Sequence, residues 1–236
     1  MKEIRYKDSW VKFCDCVEGM KTLPDKSIDL AITDYPFTID IKNSLCDKKK
    51  VFYEDTKTDI YGWFDQWFNE MRRISNTTII YAMKKHTHYW VSKEPTDYLY
   101  CIKLNSQSGG STSHFQRVSP IFVYGNKMHK LNFDYFITIV NNGWNQEGYI
   151  HPCPLSSSFW YDLISPLKPL SILDPFMGSG TTLEVAIQIG VPCYGFELVE
   201  EYTVDIEKRI EKCKYLKRPT TLNSFLGTEI IGTKIK

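Results

Sequence analysis

Residues 172–182 read Ile-Leu-Asp-Pro-Phe-Met-Gly-Ser-Gly-Thr-Thr, and their reading decides the fold. The apolar run from Leu170 to Leu173 ends in the acidic Asp174. A small-residue turn follows, in which Gly178 and Gly180 flank Ser179, and helical patterning begins at Thr181. A strand, a glycine turn and a helix start, in that order, bring backbone close to a nucleotide-like ligand. Glycine suits such a turn because it has no Cβ to block a ligand or to forbid φ > 0. Taken alone, the stretch fits a plain glycine-rich βα turn equally well.

The flanking segments extend the pattern. Leu183, Ala186 and Ile187 share a helix face, and Gly190 closes that helix. A strand is expected over 192–196 with Glu197 at its end, then a charged helix over 202–214. Upstream, β-branched and apolar runs predict strands at 11–14, Ile28–Thr33, 77–82, 98–104 and 118–124. Helices are expected at 17–23, at 59–73 and from about Ser156. In the second of these, Trp63, Phe64, Trp67, Phe68 and Met71 recur at helical spacing, which reads as core packing. Residues 38–59 and the Ser/Gly-rich 105–114 read as loops, and 125–150 as an irregular insertion with two short strands. Strands alternating with helices predict one α/β domain: a doubly wound, mostly parallel sheet with helices on both faces.

Bulk composition narrows the partners. The 236 residues are 42% apolar, enough for a sizeable core, and 14% aromatic, which serves packing or base stacking. A formal charge of +1 excludes a polycation, so a nucleic-acid partner must meet a local basic face. Seven scattered cysteines without a CxxC pair read as reduced thiols of a cytoplasmic protein and give no metal-site spacing. No metal is expected. No apolar run approaches the length of a membrane span.

Asp174 and Glu197 close two successive strands, and in doubly wound folds ligands sit at the carboxyl ends of strands. An acidic residue about 20 positions past the first turn commonly accepts hydrogen bonds from ribose hydroxyls, and Glu197 fits that spacing. Asp34-Tyr35-Pro36-Phe37 also follows a strand. It offers a carboxylate, backbone carbonyls and an aromatic face, with Pro36 holding Tyr35 extended. Such a site can grip a planar ring that carries an exocyclic amine.

These residues carry a resemblance. Asp34-Tyr35-Pro36-Phe37 resembles the (Asp/Asn/Ser)-Pro-Pro-(Tyr/Phe/Trp) motif of amino-group DNA methyltransferases, and residues 174–180 resemble their cofactor motif, Asp-Pro-Phe-x-Gly-x-Gly. His151-Pro152-Cys153-Pro154 resembles the His-Pro-x-Pro element that precedes the cofactor turn. The blocks at 13–16, 23–30 and 115–125 match further family segments, so the likeness runs over residues 10 to 215. The catalytic motif comes first, as in the β group.

The resemblance implies S-adenosylmethionine as cofactor and double-stranded DNA as substrate. A base is flipped out of the duplex and its exocyclic amine methylated, because a stacked base is out of reach. Asp34 would accept one amine hydrogen and the Tyr35 carbonyl the other, while Phe37 stacks on the ring. The cofactor would lie across Asp174, Phe176, Gly178, Ser179, Gly180, Thr181 and Thr182, with Glu197 on the ribose. Asp15 stands either near the adenine ring or as a helix N-cap. His151 stands either beside the cofactor or as a turn stabiliser. Lys48, Lys49 and Lys50 are candidate phosphate contacts, and His114 and Arg117 candidate contacts to the target strand. His86, His88 and His129 read as surface residues.

Asp in the first catalytic position leans toward adenine N6; cytosine N4 is the alternative. The family places target recognition in the region of 125–150, and relatives with this motif order often form homodimers. Tyr35 departs from the family's proline: it keeps the carbonyl but not the ring restraint. A DNA-binding protein that keeps the fold without turnover is therefore a reading of another class, and an enzyme acting on RNA or a protein amide is a third.

Overall fold

A computed structural model describes residues 2–36, 59–104, 117–125, 131, 134–138, 148–151 and 154–215. Nine strands form one sheet in the order β1-β2-β9-β8-β3-β4-β6-β5-β7. In chain order they are β1 (Glu3–Tyr6), β2 (Ser9–Phe13), β3 (Ile28–Thr33), β4 (Ser75–Tyr81), β5 (Asp97–Lys103), β6 (Val118–Gly125), β7 (Tyr135–Thr138), β8 (Ile172–Asp174) and β9 (Cys193–Glu197). The helices are α1 (Cys16–Lys21), α2 (Ile60–Ile74), α3 (Thr87–Ser92), α4 (Ser157–Ile164), α5 (Thr181–Ile189) and α6 (Thr203–Tyr215).

The central run β2-β9-β8-β3-β4 is parallel throughout. Strand β6 enters antiparallel to β4 and β5, and β1 is an antiparallel edge. The mostly parallel α/β architecture expected from the alternating pattern is therefore the one found. The predicted segments fall on these elements with shifted ends. The edge strand β1 and the short helix α3 carry too little periodicity to be read from sequence, and they are additions.

Alternation along the strands feeds two cores. Leu30 and Ile32 of β3, with Ile79 and Tyr81 of β4, pack beneath α4, α5 and α6 through Phe159, Trp160, Leu183 and Ile206. Ala31 and Ile80 point the other way, into a second core with Met20 of α1, Phe64 and Trp67 of α2, and Trp90 of α3. Burial on both faces is why the central strands read as continuous apolar runs. Four residues of the α2 stripe are core, as its spacing predicts: Phe64, Trp67, Phe68 and Met71 are buried, while Trp63 is half-buried and stands edge-on to Phe176. His86 corrects an expectation. It is 5% exposed, because the turn 84–86 folds its ring against Phe64 and Tyr61. His88 hydrogen-bonds Tyr61 at the surface, and His129 lies outside the described residues.

Candidate functional site

Strands β3 and β8 are parallel neighbours, so the two motif turns leave the same end of the sheet side by side. A hydrogen bond joins them: the Thr33 hydroxyl donates to Asp174 Oδ1 at 3.0 Å. The same oxygen accepts the Phe176 N–H at 3.0 Å, and Asp174 Oδ2 accepts the Thr182 hydroxyl. Thr182 Oγ1 in turn accepts from Trp160 Nε1 at 2.8 Å. The chain Trp160–Thr182–Asp174–Thr33 thus ties α4, α5, β8 and β3 together. Asp174 is 4% exposed and Thr182 2%. Thr182, placed along the cofactor by the resemblance, turns its hydroxyl inward, with both its donor and its acceptor roles engaged. Burial pushes the Asp174 carboxyl up to about 7 against three hydrogen bonds that pull it down.

Beyond Asp174 the chain turns back under β9. Gly178 N–H donates to Glu197 Oε2 at 2.6 Å, and Glu197 Oε1 accepts from Leu198 and Val199 N–H at 2.8 Å each. Glu197 therefore staples the glycine turn to the end of β9. A carboxylate offers about four acceptor positions, so one more donor can be met there. Gly178 has φ +53, and a Cβ on it would stand 3.1 Å from His151 Nε2. Gly180 has φ +86, and its Cβ would press on Ile206 of α6 at 3.2 Å. The first glycine keeps the turn open beside His151; the second lets α6 pack under it. Ser179 is buried and accepts from Arg209 Nη2 at 3.1 Å. Thr181 Oγ1 lies 3.4 Å from Ser179 Oγ. Phe176 stands edge-on to Trp63 and Trp67.

The other turn, 34–36, follows β3 directly. Asp34 is half-buried, and its Oδ1 is shielded from water with no hydrogen-bond partner among the described residues. Burial pushes its carboxyl up to about 8, the Asp174 charge adds to the rise, and the Lys103 ammonium opposes it. A buried acceptor without a donor awaits one. Tyr35 is 1% exposed, its ring sunk among Phe64, Trp67, His86 and Trp90. Pro36 is half-buried. Phe37, Lys48, Lys49, Lys50 and His114 lie outside the described residues.

Asp15 is an N-cap of α1, accepting from Val17 and Glu18 N–H at 2.9 and 3.1 Å. It sits two residues past β2, where Phe13 pairs with Glu197, so it also borders the Glu197 corner. His151 packs its ring 4.7 Å from Tyr202, and its main-chain N–H donates to Asp205. Arg117 is exposed, and its carbonyl accepts from Lys103 N–H at 2.7 Å. The site end of the β5–β6 pair therefore carries two cations, Lys103 and Arg117. Lys103 is a site residue that sequence reading misses, since only the sheet order brings β5 to Asp34's end. Among the described residues no group of three metal-ligating side chains converges.

A sequence family described as DNA methylase matches residues 133–208, the span that holds the glycine turn. The type II methyltransferase M.HinfI of Haemophilus influenzae is 24% identical, the match covering 85% of this chain and 67% of that protein. M.BamHI of Bacillus amyloliquefaciens is 25% identical over 78% of this chain, which spans about half (53%) of that relative's length. Both kinds of sequence match are to DNA methyltransferases. The fold agrees: the crystal structure of an M1.HpyAVI–SAM complex superposes with a TM-score of 0.58 at 18% identity, covering 84% of this chain and 98% of that one. The likeness directs attention to the place where the two motif turns meet.

Proposed function

We propose that this methyltransferase moves a methyl group from S-adenosylmethionine to the exocyclic amine of a base in double-stranded DNA, with adenine N6 as the target. The observation that carries the reading is the junction of the two turns through Thr33 and Asp174, with an unpaired carboxylate oxygen of Asp34 beside it. The residues fit the cofactor on physical grounds. The Gly178 turn is free of side-chain bulk, Glu197 keeps acceptor capacity for a ribose hydroxyl, and Phe176 offers a ring. Asp15, Gly178, Gly180, Thr181, Glu197 and His151 would border it, while Asp174, Ser179 and Thr182 hold the turn from behind. When bound, S-adenosylmethionine supplies an electrophilic methyl group.

The chain's own part is positioning. Asp34 Oδ1 and the Tyr35 carbonyl accept the two amine hydrogens, which aims the nitrogen lone pair away from the ring plane. Burial holds Asp34 near neutrality until the amine arrives, and a neutral carboxyl still offers its carbonyl oxygen as acceptor. Phe37 covers the flipped ring, worth roughly 1–3 kcal/mol by base–aromatic stacking. Arg117, with Lys48, Lys49, Lys50 and His114, contacts phosphates and the target strand. Target choice falls to the insertion at about 125–150 of the single domain, and the working unit is a homodimer. A cytoplasmic location suits the described cysteines, all free thiols. Among the described residues no helix is long and apolar enough to cross a membrane.

The test is methylation of random-sequence DNA followed by nucleoside mass spectrometry and base mapping. N6-methyladenine is expected. N4-methylcytosine alone would refute the adenine assignment. Asp34→Ala should lose turnover yet still bind cofactor; no methylation by the unaltered chain would favour a DNA-binding protein without turnover.

A further inference from the structure

We propose that Trp90 is a positioning residue for the turn 34–36, acting through the phenol of Tyr35; the catalytic meaning of that turn rests on the function proposed above. Pro36 keeps Tyr35 extended, but nothing in the chain before Tyr35 restrains its φ as a proline ring would. The restraint comes from the far end of the side chain. Trp90 Nε1 donates to Tyr35 Oη at 3.0 Å, and the main chain at Met83 hydrogen-bonds the same phenol. The Tyr35 ring meets Phe64 edge-on at 4.8 Å and lies tilted against Trp67 and Trp90 at 5.5 and 5.4 Å.

Trp90 is itself fixed. It is 0% exposed, its indole stacks on Phe64 at 5.3 Å, and its carbonyl accepts the Tyr124 hydroxyl at 2.7 Å. Tyr35 is therefore tied to α2 and α3 directly, and through Trp90 to β6. A side chain held at both its ring and its hydroxyl fixes its own Cα, and with it the carbonyl of Tyr35 and the adjoining carboxylate of Asp34. Burial alone does not dictate the indole–phenol bond. In the same cluster Trp67 Nε1 is buried without a partner among the described residues, so burial there does not by itself pair an indole N–H. The Trp90 bond is directed at the one ring that belongs to the turn.

Trp90→Phe and Tyr35→Phe each remove the bond and keep an aromatic ring. Measurements are made well below both melting temperatures. Single-turnover methyl transfer should fall about 10-fold or more, since small misplacements at a reacting centre cost up to about 100-fold. Dissociation constants for S-adenosylmethionine and DNA should stay within about twofold. Amide exchange in a peptide spanning 31–36 should quicken about 10-fold against one spanning 193–197. A role confined to core packing would lower the melting temperature and leave rate and local exchange unchanged in both variants; that result overturns the proposal. Should the unaltered chain methylate no DNA, the methyl-transfer reading fails, while the exchange comparison still decides whether Trp90 holds the turn.

Discussion

Replacing Arg209 by methionine tests how the glycine turn is held from below. Arg209 is 2% exposed and forms a buried ion pair with Glu184, which is 0% exposed. Its Nη2 also reaches Ser179 Oγ at 3.1 Å, and its guanidinium lies 4.9 Å from the Tyr149 ring centroid. Lys212 Nζ is the second partner of Glu184, at 2.8 Å from a half-exposed position. Removing one member of a buried pair costs about 3–5 kcal/mol because the other charge is stranded. Lys212 remains, so Arg209→Met should cost about 2–4 kcal/mol at pH 7. In a chain of this size that lowers the melting temperature by about 5–15 °C. Denaturant unfolding followed by two probes gives the number. Glu184→Leu with Arg209→Met removes both charges and should recover most of the loss. Burial would raise the Glu184 pKa, but Arg209 and Lys212 outweigh it and hold the carboxyl below its ordinary value. A depressed folded value means the stabilisation is present above the unfolded pKa of about 4.3 and is lost as pH falls through the folded one. The gap between Arg209→Met and the parent should therefore narrow below about pH 4. A cost under about 1 kcal/mol at pH 7, or a double variant as unstable as the single, would refute the reasoning.

Three further outcomes follow from the site. Asp34→Asn keeps a carbonyl acceptor, so methyl transfer should fall without vanishing, while the fold is stabilised at high pH. The buried carboxyl titrates near 8 when folded and near about 3.9 unfolded, so its penalty is absent below the lower value and complete above the higher. A gain of up to about 5 kcal/mol at pH 9 that vanishes at pH 4 is expected by chemical denaturation; identical pH slopes would sink it. Gly178→Ala places a Cβ 3.1 Å from His151 Nε2 at φ +53. S-adenosylmethionine binding by calorimetry should weaken about 10-fold for roughly 1–2 kcal/mol of backbone strain, and an unchanged constant would contradict the role given to the turn. Charge reversal at Lys48, Lys49 and Lys50 should reduce the salt slope of DNA binding by up to about 3, and an unchanged slope would remove these lysines from the phosphate contacts.

The legible parts of this chain were those where chemistry and local pattern coincide. The bounds of β3 and the start of α5 were readable because β-branched runs and glycines report local backbone preference directly. Glu184 was not: a glutamate in a helix reads as solvent-facing, and only the arrival of α6 on α5 buries it against Arg209. His86 is hidden from sequence for the same reason, since a histidine in a lysine-rich turn carries no mark of the aromatic core it enters. Asp174 and Thr182 were expected to face a ligand. Their spacing is local, but whether a carboxylate points outward or into the sheet depends on Thr33 and Trp160, which come from distant parts of the chain.

What the sequence determined by itself is the kind of chemistry: a glycine turn after one strand, an acid-tyrosine-proline turn after another, and the acid at the end of a third. Those features are local, and a backbone turn keeps its character wherever the chain places it. The tertiary structure decided what the sheet order brings together. It set the Asp34 turn beside Asp174 and brought Lys103 within electrostatic reach of Asp34. It also rooted the Tyr35 phenol against Trp90, 55 residues away. Burial and pairing depend on which surfaces meet, and along one chain that is settled only when the strands have taken their neighbours.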